Sequence, residues 1–434
     1  MTIASTVNSS TDPEVETGQG SHIDAPELRV FVMALFFIFG GITSLNDIII
    51  PKLKDLFTLS YGQAMLVQSA FFAAYFLISI PGAILVKKVG YMRGAAFGLL
   101  TMMAGCLLFI PASASATFSV FLIALFVLAA GITVVQVVAN PLISLLGPAQ
   151  TTGSRLTFAQ AFNSLGTTVF PYVGSLLILG SLAQVDPATL KGAALAAHRV
   201  AETRVVVHTY IGLAIALLIV AGVVWWQRNR LKGEHHDSGS ALAGFMLLRR
   251  PRFALGTITL FLYVGAEVAI GSLIVNYLEQ QHVLSMSEQA AGKLIPLYWG
   301  GALIGRFIGS AVLRLTSPGK VLACNALGAI VLLVISANST GALAAYSLLA
   351  VGLMNSIMFP TIFSLACEGL GDKAADGSGV ICMAIVGGAI IPPITGHLAD
   401  ATASLSIALG LPALCYAVIL AYGLYARRPV IQAA

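Results

Sequence analysis

The chain has 434 residues, of which 58% are hydrophobic and only 9% are charged, and its mean hydropathy is +0.91. Because soluble globular proteins carry about 25% charged residues, the composition excludes a soluble domain and predicts an integral membrane protein. The net charge of +5 includes no basic run with interleaved aromatic residues, so a nucleic-acid partner is not expected.

The first 27 residues are polar and acidic, and they lack the basic flank, apolar core and cleavage site of a signal peptide. They predict a disordered cytoplasmic tail over residues 1–27. Twelve apolar stretches follow, each long enough to cross a bilayer as a helix. The predicted spans are 28–50, 62–86, 92–111, 119–146, 155–180, 205–226, 253–278, 290–315, 319–336, 341–367, 377–399 and 404–425. The sequence therefore predicts an all-α integral membrane protein with twelve transmembrane helices.

Two long connections interrupt this series of spans. Residues 181–204 carry charges at both ends of an Ala-rich middle, which predicts a short surface helix. Residues 227–252 are basic and separate the first six spans from the last six. We therefore predict an N-terminal six-helix bundle over residues 28–226, a cytoplasmic linker over 227–252, and a C-terminal six-helix bundle with a short tail over 253–434.

Lysine and arginine fall mainly on one side of the predicted membrane. With the N-terminus inside, sixteen of them lie on the cytoplasmic side and six on the other. Because cytoplasmic loops carry an excess of Lys and Arg, both termini should be cytoplasmic. The protein is expected to lie in the cell inner (plasma) membrane. Arg306 falls within the eighth span, where we predict a position near the cytoplasmic end and a role as a gate or loop anchor.

The two predicted bundles share features that indicate an internal repeat. Gly166 and Pro171 lie five residues apart in the fifth span, as Gly387 and Pro392 do in the eleventh. The offset between the two pairs is 221 residues at both positions, so the halves are expected to be pseudo-symmetric. Such repeats, with a site between them at mid-membrane, are typical of alternating-access transporters.

Carboxylates well inside the spans are rare. Asp47 lies in the apolar first span and Glu267 in the seventh. A charge at that depth costs roughly 2.5–3.5 kcal/mol on insertion scales, so both residues are functional candidates. A carboxylate in a low-dielectric cavity can take up a proton near neutral pH or coordinate a cation such as sodium. We predict that Asp47 and Glu267 couple transport to a cation; the alternative for Asp47 is that it reaches water at the outer end of its helix.

Uncharged polar side chains inside the spans fall at helical spacings. Residues three or four apart share a helix face, so these spans can line a common cavity. Amides suit a ligand rich in hydroxyl groups, and aromatic rings can stack on the apolar face of a sugar. The residues predicted to bind it are Asn46, Asp47, Gln136, Asn140, Gln160, Asn163, Tyr263, Asn276, Trp299 and Asn355. The alternative is that the amides hold helices together.

Seven short segments form a set typical of one transporter family. They are Asn46-Asp47, Gln68-Ser69-Ala70-Phe71, Ala139-Asn140-Pro141, Phe158–Gly166, Tyr263-Val264-Gly265-Ala266, Phe359–Leu365 and Val386-Gly387-Gly388. The set resembles the major facilitator superfamily, and within it the fucose permease / glucose–galactose transporter family of sugar–cation symporters. The resemblance runs from about residue 28 to 425, and it implies two six-helix bundles that import a neutral monosaccharide with a proton or a sodium ion.

The resemblance implies a substrate-linked role for Asp47 and also reveals a departure. Fucose permeases have a glutamate implicated in proton coupling at the position of Gln136, whereas the acid here is Glu267, where those permeases have glutamine. The departure favours the glucose–galactose branch, some members of which are sodium-coupled, and it leaves L-fucose:proton symport as the alternative. The loop Val86–Gly90 lacks the acidic residue of the superfamily motif, so the usual salt-bridge latch cannot be assumed there.

Other classes of protein fit these residues less well. A membrane-embedded enzyme would need a nucleophile–base or metal cluster, and the chain has no His-Glu-x-x-His, Cys-x-x-Cys or Gly-x-Ser-x-Gly motif. A sugar sensor would need a signalling domain, and the amide-rich, cation-poor cavity argues against a drug/proton antiporter. We expect no enzymatic activity, no cofactor beyond the coupling H⁺ or Na⁺, and no metal site other than sodium at Asp47 or Glu267. The protein is expected to work as a monomer in the lipid bilayer.

Overall fold

The computed structural model describes residues 26–57, 61–115, 117–174, 192–229 and 243–428; the side chains of residues 46–56, 61–68, 193–203 and several single positions are outside this description. Every regular element in the described ranges is a helix. The predicted all-α architecture is confirmed. The predicted tail over residues 1–27 lies outside the described residues except for its last two, with which the first helix begins.

Twelve helical segments follow one another along the chain, and several consist of two helices. The first six are α1 (Pro26–Phe57), α2 (Tyr61–Val89), α3 with α4 (Tyr91–Leu107 and Phe109–Ser115), α5 (Phe118–Leu145), α6 (Thr152–Gly174) and α7 (Gly192–Trp226). The short α8 (Ala243–Met246) precedes the second six. These are α9 (Pro251–Glu279), α10 with α11 (Glu288–Gly292 and Ile295–Leu315), α12 (Pro318–Asn338), α13 with α14 (Gly341–Asn355 and Met358–Ala366), α15 with α16 (Ala374–Met383 and Gly387–Thr402) and α17 with α18 (Leu405–Ala408 and Gly410–Tyr425).

Within the described ranges, ten segments are long and apolar enough to span a membrane on composition alone. The two that fall short are α6, which is rich in hydroxyl and amide side chains, and α11, which contains two arginines. These two helices pack against each other, one from each half of the chain. Their polar side chains therefore lie at the contact between the two halves of the molecule.

One predicted element is wrong. The sequence predicts a separate surface helix over 181–204, but residues 192–204 form the first turns of α7, which continues to Trp226. The Ala-rich stretch favours helix and joins the apolar span with no Gly or Pro at the junction to end it. Residues 181–191 are outside the described ranges.

Both halves pack their helices in the same pattern. In each, the first segment packs on the fifth, the second on the fourth, and the third on both the fourth and the sixth. In the N-terminal bundle these pairs are α1–α6, α2–α5, α3–α5 and α3–α7. In the C-terminal bundle they are α9–α16, α11–α13, α12–α13 and α12–α18. The predicted pseudo-symmetry of two six-helix bundles is confirmed.

The two glycines that indicated the repeat lie at equivalent helix contacts. A Cβ atom added to Gly166 would meet the carbonyl oxygen of Phe37 in α1, and one added to Gly387 would meet the carbonyl oxygen of Phe261 in α9. Each glycine is therefore required because the backbones of the first and fifth segments approach closely in its half.

The side of the molecule at which α7 ends and α9 begins is named the linker face here. At this face α2 packs on α15, and α6 packs on α11 and α14. The Ser154 hydroxyl donates to the Ser310 carbonyl oxygen (2.6 Å) and accepts from Arg314 Nε (3.2 Å). Lys87 Nζ lies 2.9 Å from Asp376 Oδ2, so α2 does form an ion pair with the opposite bundle although its loop lacks the usual acid. The linker face is closed.

Breaking the Lys87–Asp376 ion pair is expected to open the linker face. Both side chains are only 8% exposed, and removing one partner of a buried ion pair costs about 3–5 kcal/mol. Cys382 is buried on α15 next to Asn140 of the other bundle, so its reaction with a maleimide measures opening. Asp376→Asn should raise the labelling rate of Cys382 at least tenfold, which corresponds to about 1.4 kcal/mol.

Three comparisons make this measurement specific. Lys88→Met, which changes the exposed neighbouring lysine, should leave the rate unchanged. The exchanged pair Lys87→Asp with Asp376→Lys should restore the wild-type rate. Cys106 is buried inside the N-terminal bundle and should stay unreactive unless the protein unfolds. A wild-type labelling rate in Asp376→Asn would show that the ion pair does not hold the face closed.

Candidate functional site

Tyr263 and Glu267 lie one turn apart on the same face of α9. The Tyr263 hydroxyl is 2.8 Å from Glu267 Oε1 and 3.1 Å from the carbonyl oxygen of Asn355, the last residue of α13. A hydroxyl group has one hydrogen and donates to one of these oxygens at a time, and a carboxylate is the stronger acceptor. Tyr263 therefore stands between an acid and a backbone carbonyl that compete for its hydrogen.

Two further tyrosines surround Asn355. Asn355 Nδ2 donates to the Tyr298 hydroxyl (2.8 Å), which in turn donates to the carbonyl oxygen of Glu267 (3.2 Å). The Tyr416 hydroxyl donates to Asn355 Oδ1 (2.7 Å). Asn355 and the three tyrosines are fully buried. Together with Glu267, these four residues form the tyrosine cluster, which joins α9, α11, α13 and α18.

The tyrosine cluster is built on a break in the tenth membrane segment. α13 ends at Asn355 and α14 begins at Met358. Pro360 causes the break, because it has no N–H to offer the Ser356 carbonyl oxygen and its ring clashes with that carbonyl. Backbone groups freed in this way inside a membrane need other partners.

Side chains from three different helices supply those partners. Each donor lies at one of three consecutive carbonyl oxygens. They are Asn325 Nδ2 at Met354 O (2.9 Å), the Tyr263 hydroxyl at Asn355 O (3.1 Å) and Arg306 Nε at Ser356 O (3.1 Å). The break is therefore fixed by specific hydrogen bonds, and losing any of them would change the preferred bend of the segment.

Arg306 connects this break to the opposite bundle. The prediction that it lies near the cytoplasmic end of its span is wrong, because it lies in the middle of α11. Its Nη1 donates to the Gln160 carbonyl oxygen (3.2 Å) and to the Ser164 hydroxyl, both in α6. It also interacts electrostatically with Glu267. The cation, the acid and the inter-bundle contact thus form one connected unit.

The predicted ligand-binding amides of the N-terminal bundle have few partners. Within the described part of the chain, Gln136 Oε1 is buried without a hydrogen bond, and the buried Asn140 amide has only the weakly accepting Cys382 thiol beside it. Asn163 Nδ2 makes one long hydrogen bond, 3.4 Å, to the Phe36 carbonyl oxygen, and Gln160 is only 4% exposed. A buried unpaired polar atom costs about 1–3 kcal/mol, so these amides are well suited to a polar ligand or water.

Two of the predicted residues in the C-terminal bundle, Trp299 and Asn276, lie in different surroundings. Trp299 is 44% exposed, packs edge-on against Tyr298, and lies over Gly271, one turn beyond Glu267 on α9. It is therefore available to a ligand near the acid. Asn276 is exposed near the end of α9 and is separate from the tyrosine cluster.

Two pairs of predicted residues stand apart from these groups. Tyr263 and Asn355 already have internal hydrogen-bond partners, so their role as sugar ligands stays a prediction. The side chains of Asn46 and Asp47 lie outside the described residues, although the backbone of α1 includes them.

Tyr416 is a site residue that sequence reasoning misses. It lies in an apolar span with no polar neighbour at helical spacing. The available signal is the hydroxyl itself, because a lone tyrosine in the middle of such a span needs an internal hydrogen-bond partner.

Residues 32–393 match the family described as the Major Facilitator Superfamily. The glucose/galactose transporter of Brucella abortus biovar 1 (strain 9-941) is 47% identical over 390 residues, which cover 90% of this chain and 92% of that protein. The putative glucose/galactose transporter of Helicobacter pylori (strain ATCC 700392 / 26695) is 42% identical over 395 residues, covering 90% and 94%. The L-fucose-proton symporter of Escherichia coli (strain K12) is 34% identical over 410 residues, covering 91% and 93%.

Solved structures agree with this family match. A crystal structure of the Major Facilitator Superfamily transporter FucP in the outward conformation is similar with a TM-score of 0.85 and 32% identity, covering 92% of this chain and 98% of that one. The proton:xylose symporter XylE bound to 6-bromo-6-deoxy-D-glucose is similar with a TM-score of 0.64 and 14% identity, covering 93% and 95%, a likeness that concerns the fold alone.

Proposed function

Because the chain belongs to the Major Facilitator Superfamily, we propose that it is a secondary active transporter that imports a neutral monosaccharide of the glucose/galactose type by cation symport. The observation that carries this proposal is the 47% and 42% identity, over 90% of the chain, to two proteins named as glucose/galactose transporters. In alternating access the two bundles rock about a central site. The closed linker face corresponds to the outward-facing state, as in the outward conformation of FucP.

The sugar binds between the bundles, through amides of the N-terminal bundle and the exposed ring of Trp299 in the C-terminal bundle. Hydrogen bonds to sugar hydroxyls would remove the cost of leaving the amides unpaired, and Trp299 offers a ring face for stacking. The contacts proposed from described side chains are Gln136, Gln160, Asn163 and Trp299, with Asn140 reached as the linker face opens. Asn46, Asp47 and Asn276 complete the proposed set.

Glu267 takes up the coupling proton, and this changes the hydrogen bonding of the broken tenth segment through Tyr263. When the acid is charged, it accepts the hydrogen of Tyr263 (2.8 Å). When it is protonated, it donates its own hydrogen to the Tyr263 oxygen, and Tyr263 then donates to the Asn355 carbonyl oxygen (3.1 Å). Protonation therefore moves one hydrogen bond from the acid to the break. A sodium ion on the carboxylate would weaken it as an acceptor and so favour the same shift of the Tyr263 hydrogen toward the Asn355 carbonyl oxygen.

The charge of Glu267 also reaches the opposite bundle through Arg306. A charged Glu267 attracts this arginine, which also donates to Gln160 and Ser164 in α6. Neutralising the acid removes the attraction and leaves Arg306 held by its hydrogen bonds alone. The strength of the contact that Arg306 makes between the two bundles therefore depends on whether the coupling ion is bound at Glu267.

The excess of Lys and Arg on one side of the predicted membrane supports the proposed orientation. The linker face, which carries the excess of Lys and Arg, is the cytoplasmic face, and both termini lie there in the inner membrane. The partners needed are the sugar, the coupling H⁺ or Na⁺ and the lipid bilayer, and the transporter works as a monomer without enzymatic activity.

L-fucose:proton symport is the second candidate function. It is favoured by the 34% identity to the Escherichia coli L-fucose-proton symporter and by the TM-score of 0.85 to FucP. The higher identity to glucose/galactose transporters, and the glutamine at position 136, favour a hexose of the glucose/galactose type.

Counterflow in proteoliposomes tests the proposed function. Vesicles containing the full chain are loaded with unlabelled glucose or galactose and diluted into the labelled sugar. Transient accumulation of label is expected, and external glucose or galactose should suppress it more strongly than L-fucose. A stronger effect of L-fucose would favour the second candidate. No counterflow with any of the three sugars would contradict sugar transport.

A further inference from the structure

A cavity at the linker face brings together three arginines from both bundles. It has a volume of about 210 Å³, and its lining residues are Arg29, Pro148, Thr151, Ser154, Arg155 and Arg314. Arg29 and Arg155 belong to the N-terminal bundle, and Arg314 comes from α11 of the C-terminal bundle. The lining contains no acid, and none of the three arginines forms an ion pair within the described residues.

Arg155 forms the wall of this cavity. Its guanidinium group donates to carbonyl oxygens at the end of α5 and in the turn to α6, including those of Ser144 (2.7 Å) and Pro148 (2.8 Å). Gly147 adopts a φ of +144°, and a Cβ there would press on the guanidinium groups of Arg155 and Arg29. The turn therefore brings two mutually repelling charges to one place.

Arg29 and Arg314 keep donors free in the cavity. Arg29 uses its Nε for the Leu146 carbonyl oxygen (2.8 Å), and Arg314 uses its Nε for the Ser154 hydroxyl (3.2 Å). Within the described chain, the two terminal nitrogens of both arginines have no hydrogen-bond partner. The first turn of α6, with Thr151 before it, faces the same space and adds the partial positive charge of a helix N-terminus.

We propose that this cavity binds a phosphate group, as inorganic phosphate or as the head group of a lipid. Guanidinium groups bind phosphate oxygens in a bidentate manner, and here two of them converge with free donors and no competing carboxylate. No residue of the tyrosine cluster lines the cavity. The site is therefore separate from the proposed sugar site and goes beyond the proposed function.

The phosphate site is complete only while the linker face is closed. Opening that face separates Arg314 from Arg29 and Arg155, because they belong to different bundles. A ligand that binds one conformation stabilises it at the expense of the other. Phosphate at this site therefore keeps the linker face closed and slows the release of sugar on that side.

Binding is tested on the full chain in phosphatidylcholine nanodiscs, with inorganic phosphate titrated against chloride at constant ionic strength. Phosphate should raise the thermal unfolding temperature and slow the maleimide labelling of Cys382. Arg29→Gln or Arg314→Gln should weaken the apparent phosphate affinity roughly ten- to hundredfold, the loss expected for one charge-assisted contact. Arg314→Lys should restore part of the affinity, which a merely misfolded variant would not do.

A matched control and a lipid series decide the interpretation. Arg93→Gln, which changes an exposed arginine at the start of α3, should leave the phosphate response intact. If added phosphatidylglycerol, but not free phosphate, protects the wild type and not Arg314→Gln, the ligand is a lipid head group. No protection by either, or an equal loss in Arg93→Gln, would overturn the site. Neither readout involves sugar, so such a failure would leave the transport proposal standing.

Discussion

Glu267→Gln is expected to abolish cation-driven accumulation of sugar while sparing sugar exchange. Glutamine keeps the size of the side chain and can still accept from the Tyr263 hydroxyl, but it cannot bind a proton or carry a charge. Under an imposed proton or sodium gradient, uptake into vesicles should only equilibrate the sugar. Counterflow should stay close to wild type, because exchange requires the bundles to rock but requires no net ion movement.

Glu279→Gln provides the matched control for this variant. Glu279 is the last residue of α9 and lies away from the tyrosine cluster, so its neutralisation should leave gradient-driven accumulation unchanged. Accumulation at the wild-type level in Glu267→Gln would show that the coupling acid lies elsewhere. Asp47 would then be the remaining candidate, and Asp47→Asn would be the next variant to measure.

Arg306→Gln is expected to slow counterflow at least a hundredfold and to destabilise the protein. The arginine is the donor to the Ser356 carbonyl oxygen at the break and to two groups of α6, and it is the cation that interacts with Glu267. Removing the arginine costs the protein these three hydrogen bonds, each worth about 1.5–3 kcal/mol when the donor is charged, and leaves Glu267 without a compensating charge. Thermal unfolding and counterflow measure the two effects.

A double-mutant cycle separates the charge interaction of Arg306 with Glu267 from the hydrogen bonds that Arg306 makes elsewhere. If the lost charge balance dominates, the double variant Glu267→Gln/Arg306→Gln should be more stable than Arg306→Gln alone, because it leaves no unpaired acid. Stability losses that simply add would contradict an energetic link between Arg306 and Glu267. The hydrogen bonds of Arg306 to the backbone would then account for its effect.

Much of the fold can be predicted from the sequence because its determinants are local. The length and apolarity of the spans define the twelve segments, and the register of Gly166 and Gly387 indicates a repeat that the helix pairing confirms. The exception is the start of α7, where the Ala-rich stretch before Arg204 carries enough charge to look like a separate surface helix. The high helix propensity of alanine extends α7 through a stretch that is not apolar enough to be predicted as part of the membrane span.

The candidate site is harder to predict because its contacts join distant parts of the chain. Tyr263 and Tyr416 both bond Asn355, across 92 and 61 positions of sequence. Helical spacing shows which residues share one face of a helix, but it does not show which faces meet. It therefore identifies Tyr263, Glu267 and Asn355 as unusual polar residues without revealing that they pair with one another.

Arg306 illustrates the same difference between local and tertiary information. The sequence shows an arginine followed by Phe307 in a glycine-rich span, which is equally consistent with the end or the middle of a helix. Its position depends on Pro360 in another segment, which frees a carbonyl oxygen for it. Only the assembled bundles bring the two together.

Under the proposed function, sugar and a cation cross the membrane together. The most direct test adds glucose or galactose to proteoliposomes of the full chain without any ion gradient and measures internal pH and sodium uptake. We expect the sugar to drive either protons or sodium ions into the vesicles, and to drive neither in Glu267→Gln. Sugar entry without movement of either ion in the wild type would contradict symport.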